Sequence, residues 1–174
     1  MVSQVPQAHT QSPLPRIKIE ESVETLLDFL GAKHILRTRV PPINTWQEFV
    51  DLVGFNQEDV SQLQYEAWFI HRPTFNHDSV TRGTWSQYQQ MHSVIVTGWM
   101  WHEDWDTTYR DLNDAAENFA LTLEKNKGGL DSAFDELRGV RVLFGEKDFG
   151  EHFMQTVNIS FEFLMTITET AGRQ

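Results

Sequence analysis

Residues 98–111 read GWMWHEDWDTTYRD. Three tryptophans, a histidine and several acids crowd this stretch, and His102, Glu103, Asp104 and Asp106 carry the side chains of metal ligands or of an acid/base pair. Local geometry favours another reading. If Gly98–Trp101 closes a strand, Trp99 and Trp101 point to one face and Met100 and His102 to the other, so rings and histidine do not converge. Beyond it, Asp104, Asp106 or Thr107 offers a side-chain oxygen to the free N–H groups of a helix starting near Thr108. The stretch reads as a strand end followed by a helix cap, and each acid has a role without catalysis.

The fold follows from what flanks this corner. Upstream, the centre of Gln87–Trp101, MHSVIVTGWMW, is apolar on both alternating sets, as in a strand covered on both faces or central in a sheet. Before it, Tyr65–His71 (YEAWFIH) reads as a strand stopped by Pro73. The polar residues 73–86 read as a loop, which makes the pair a long-looped antiparallel hairpin.

Downstream, Leu112, Ala115, Ala116, Phe119, Ala120 and Leu123 match the spacing of one helix face, and Lys125, Lys127, Gly128 and Gly129 supply its basic last turn and stop. A short helical turn is expected over Ser132–Leu137. Val140–Phe144 reads as a strand, EKDFG as a turn, and the alternation from Phe153 to Thr166 as a half-buried antiparallel strand with one wet or partner-facing side.

Toward the N-terminus, Ile19, Val23, Leu26, Leu27 and Leu30 mark an amphipathic helix ending near Gly31. Leu36–Val40 reads as a short extended piece before Pro41 and Pro42. Thr45 with Glu48 forms a capping-box pattern ahead of a short helix through Trp46, Phe49, Val50 and Val53. Residues 1–15, with Pro6, Pro13 and Pro15, read as a flexible arm, leaving 16–174 as a single domain. The order predicts an α+β fold: a mainly antiparallel four-stranded sheet with the helices packed on one face.

Composition narrows the function classes. The chain has 174 residues, 40% of them hydrophobic, enough for a core without staples. With 14 Lys and Arg against 25 Asp and Glu, a net charge of -11, no basic stripe offers a grip on nucleic-acid phosphates. The absence of cysteine excludes disulfides, thiolate zinc sites and a cysteine nucleophile. No secretory signal pattern and no apolar run near the roughly 20 residues of a bilayer span is present, so a soluble, intracellularly made protein is expected, with no membrane partner. The histidines show no HExxH or comparable ligand spacing, and no GxSxG, GxxxxGK[ST] or GxGxxG occurs.

Six tryptophans, several of them near strand ends or loops (Trp85, Trp99, Trp101, Trp105), exceed what one small core needs. Tryptophan is enriched at the centres of protein interfaces, so subunit packing competes with plain core filling.

Taken together, an N-terminal amphipathic helix, a hairpin ending in MHSVIVTGWMW, the acidic helix DTTYRDLNDAAENFALTLEKN and the closing pair GVRVLFGEKDFGEHFMQTVNISFEFLMTIT resemble the tail terminator (tail completion) proteins of long-tailed bacteriophages. The likeness spans roughly residues 17–168 and rests on order and spacing, with the Gly98–Trp99 element leading through an acidic linker into the helix. The arm and residues 54–64 depart from the pattern. The resemblance implies a structural virion protein that assembles as a homo-oligomeric ring, commonly a hexamer. Such a ring caps the tail tube protein once polymerisation stops and joins it to the head–neck connector protein. It also implies location at the head-proximal end of the tail after synthesis in the host cytoplasm, with no catalytic residue, metal or cofactor. A channel rich in acids would let DNA pass without specific binding. Trp99, Trp101, Trp105 and Tyr109 are the candidate subunit-interface residues. The alternatives are a small metal-assisted enzyme using His92, His102 and Glu103, and a monomeric ligand-binding α+β module.

Overall fold

A computed structural model describes residues 15–53, 64–82, 85–102, 104–125 and 136–170. The expected arm therefore lies outside the described residues, except for Pro15, which opens the first helix. The chain is α+β, with elements α1 (Pro15–Phe29), β1 (Ile35–Leu36), α2 (Trp46–Val53), β2 (Gln64–Arg82), β3 (Trp85–His102), α3 (Trp105–Lys125), β4 (Glu136–Asp148) and β5 (Phe153–Thr170).

The sheet has five strands in the order β1-β2-β3-β5-β4. The sheet is mainly antiparallel, as expected, but the expected four strands are corrected to five, with one parallel pair. The additional strand is the extended piece before the Pro41–Pro42 pair, displaced toward the N-terminus to Ile35–Leu36 and running parallel to Trp68–Phe69. His34 at φ 50° turns the chain into it, and its carbonyl accepts the Trp68 N–H at 3.1 Å.

The long loop expected over 73–86 is also corrected. β2 continues to Arg82 and pairs with a β3 that begins at Trp85, leaving residues 83–84 between them. Pro73 does not stop the strand because the register shifts between His71 and Thr74, where a missing N–H is tolerated. Polar residues conceal such a ribbon, because its ladder is held by backbone hydrogen bonds rather than by an apolar alternation.

From Val94 to Met100 both faces of β3 are covered, in keeping with its doubly apolar pattern. One face joins Trp68, Ile70, Val94, Val96, Val157, Ile159, Phe161 and Phe163 to Ile19, Val23, Leu26 and Leu27 of α1 and to Leu112, Ala116, Phe119 and Leu123 of α3. The other joins Ala67, Phe69, Trp99 and Met154 to Ile43 and to Phe49 and Val53 of α2. Helices therefore lie on both faces, not on one. Each large side chain fully buried here contributes about 1.5–3 kcal/mol of transfer free energy. β5 alternates as expected from Val157 to Phe163, whereas Phe153 at its start is exposed and Met154 is buried under α2.

Helix ends follow local chemistry. Gly31, at φ 85°, ends α1, and the Ala32 N–H reaches back to the Leu27 carbonyl at 3.0 Å. The capping box of α2 forms: Glu48 N–H donates to Thr45 Oγ1 at 3.2 Å, while Glu48 Oε2 accepts the N–H groups of Thr45 at 3.2 Å and Asn44 at 2.7 Å. Of the helical turn expected over Ser132–Leu137, residues 132–135 lie outside the described residues, and Glu136 and Leu137 already belong to β4.

Candidate interaction surface

The corner between β3 and α3 is built around Asp104. Its carbonyl accepts the Thr108 N–H at 3.0 Å, and its carboxylate accepts the Thr107 N–H at 3.3 Å and the Thr107 hydroxyl. The hydroxyl hydrogen bond from Thr107 is the main cause holding the Asp104 carboxyl below the usual range, with the Thr107 and Asp106 N–H groups adding to it. His102 Nδ1 accepts the Asp104 N–H at 2.9 Å. Thr108 is buried, and its hydroxyl donates to the Asp104 carbonyl at 2.9 Å. α3 therefore starts at Trp105, three residues before the expected Thr108, because Asp104 is the residue that caps it.

The ligand set of the enzyme alternative is not assembled. His92 and His102 lie on the same strand, ten positions or about 33 Å apart at a strand's rise per residue. Glu103 lies outside the described residues. His92 is 1% exposed; its Nδ1 accepts from Arg72 Nη1 at 2.5 Å and its Nε2–H donates to Gln90 Oε1 at 3.1 Å. Burial first, and the Arg72 charge second, push its pKa down to about 4, which fixes the neutral ring these bonds require. Among the described residues, no group of three His, Asp or Glu side chains could hold a metal ion, and no helix is long and apolar enough to cross a membrane.

The four candidate contact residues separate into two pairs. Trp99 and Trp101 share the face that α2 covers, and Trp105 and Tyr109 ride on α3 across the sheet. Trp99 is 6% exposed, its ring 5.7 Å from that of Phe49 and 5.6 Å from that of Phe69. As a core residue it is withdrawn from the contact set, because the short helix that hides it also hides its neighbours on β2. Trp101 is half-buried. Trp105 and Tyr109, at 41% and 52% exposed, stand open in the first turns of α3.

An aromatic cluster centred on Trp46 has no counterpart in the expectations from the sequence. Its ring stacks on His152 at 4.3 Å and 27°, and lies 5.0 Å from Tyr65, 5.2 Å from Trp101 and 6.2 Å from Phe149. The β4–β5 turn delivers Phe149 and His152: the Phe149 N–H bonds the His152 carbonyl at 3.0 Å, and Gly150, at φ 86°, donates to Asp148 Oδ1 at 2.6 Å. These residues are far apart in the chain, so no spacing rule links them.

The sheet also has open edges. Among the described residues β4 pairs only with β5, and Leu143 and Phe144 on it are 67% and 44% exposed. On the far side, β1 covers only Trp68 and Phe69, so among the described residues the outer edge of β2 from Ile70 onward has no strand partner. The chain matches no model of a known protein family and no curated protein.

Proposed function

We propose that this chain is a structural protein that assembles head to tail into a ring and acts as a tail terminator of a phage virion. In that role it would cap the tail tube and join it to the head–neck connector. The observation that carries the assembly reading is the open edge of β4, with Leu143 and Phe144 exposed on it. A long edge strand presents unpaired N–H and C=O groups, and apolar side chains beside them favour cover by another chain. A second open edge on β2 at the opposite side of the sheet suits a contact between two different surfaces, the kind that closes into rings. Trp105, Tyr109 and half-buried Trp101 would add aromatic contacts.

The terminator role rests on the order of elements and on the acidic charge, which disfavours adhesion of DNA to a channel wall. Sedimentation velocity with negative-stain imaging tests the assembly. Rings of about six subunits are expected, and a compact monomer that binds stoichiometric zinc would overturn the reading. Tail tube protein polymerised in its presence should give tubes capped at one end; unaltered, uncapped tubes would remove the terminator role even if rings form.

A further inference from the structure

We propose that the arginine-lined cleft beside β1 receives carboxylates from the outer face of α3 in a second copy of this chain. The inference rests on the ring reading above and names a contact within it. The cleft, about 590 Å³ in volume, opens between the segment after β1 and the outer edge of β2, where Arg37, Arg39, His71 and Arg72 line it. Three of the chain's nine arginines meet there, although the whole chain carries a net charge of -11.

Arg37 is held by Glu21 at 3.2 Å and Glu24 at 3.0 Å. Arg39 is exposed and has no acidic partner among the described residues. His71 Nδ1 is the one buried side-chain nitrogen or oxygen among them without a hydrogen-bond partner. Burial foremost, and then the Arg39 charge, hold its imidazole below the ordinary pKa against an opposing pull from the Glu20 carboxylate. An entering carboxylate pairs with the exposed Arg39 guanidinium.

The chain carries the complement. Asp106, Asp114, Glu117 and Glu124 are exposed on α3 and, at 100° per residue, fall in one sector opposite Leu112 and Phe119, with Arg110 the one cation among them. α3 lies over β3, β5 and β4, whereas the cleft sits at the β1–β2 edge, so the two surfaces occupy different flanks of one copy. A contact between different flanks repeats from copy to copy until it closes.

The test follows the full-length protein by sedimentation velocity as Arg39→Glu, as Asp114→Lys with Glu117→Lys, and as all three changes together, with circular dichroism confirming that each is folded. Each charge reversal alone should raise the concentration needed for ring formation by about tenfold or more, and the combination should restore it. Rings unaffected by Arg39→Glu would overturn the cleft contact and leave the ring reading standing. A wild-type protein that stays monomeric would overturn both. A short labelled DNA duplex that binds the wild type and is released by Arg39→Glu would make phosphate the occupant and overturn the proposal.

Discussion

The indole of Trp68 lies against Gly98, its cross-strand partner on β3, so closely that a β-carbon on Gly98 would stand 2.5 Å from Trp68 Cζ3. Trp68 is 1% exposed, and its Nε1–H donates to Glu66 Oε1 at 2.5 Å, which also accepts the Lys33 N–H at 3.2 Å. The ring is pinned at both ends and has no room to swing away. The glycine before Trp99 is thus a packing requirement of the neighbouring strand.

Gly98→Ala should cost about 1–3 kcal/mol of stability through overpacking. Urea unfolding followed by tryptophan fluorescence measures the loss. Adding Trp68→Leu to that variant should cost less than Trp68→Leu costs the wild type, because the two changes share one space.

The candidate aromatics should divide by readout. Trp99→Ala should cost about 3–5 kcal/mol in folding free energy, as a large core truncation. Trp105→Ala should change it by no more than about 0.5 kcal/mol, as an exposed substitution, and any larger effect should appear in assembly instead. Denaturant midpoints beside sedimentation profiles separate the two outcomes.

An acid-side loss of stability is expected from His92. In the fold its pKa lies near 4, below the ordinary 6.5, so between those values the unfolded chain binds more protons than the native one. Stability from this group is complete above about pH 6.5 and declines as pH falls toward 4, by up to about 3 kcal/mol for the full shift. Unfolding free energies at pH 7 and pH 4.5 should differ in that direction, and His92→Gln should flatten the slope.

Removing the cap of α2 should loosen the aromatic cluster. Thr45→Ala takes away the acceptor of the Glu48 N–H and should cost about 1 kcal/mol. Because Trp46 begins that helix and stacks on His152, its fluorescence should redden in the native state before the rest of the fold melts. An unchanged emission spectrum would show that Trp46 is held by its ring neighbours alone.

Charge on the open edge tests the surface directly. Leu143→Asp with Phe144→Asp removes exposed apolar side chains and should leave the unfolding midpoint nearly unchanged while lowering the sedimenting mass of the assembly. Unaltered assemblies would remove β4 from the interface.

Features that depend on near neighbours were legible in the chain. The apolar spacing of Leu112, Ala116, Phe119 and Leu123, the Thr45–Glu48 box and the capping role of the acids after Trp101 are all set within a few residues by helix and strand periodicity. The doubly apolar pattern of β3 announced a strand covered on both faces or central in the sheet, but not which helices cover it. Long-range packing set the rest: α2 lies opposite α1 and α3, Ile35–Leu36 joins β2, and polar residues beyond Pro73 continue the ladder. It also decided the fate of the aromatics: Trp99 is buried and Trp105 exposed because packing partners arrive from distant segments. Trp46, His152, Arg39 and His71 carry no mutual spacing in the chain, and their neighbourhoods exist only once the sheet brings its edges and loops together.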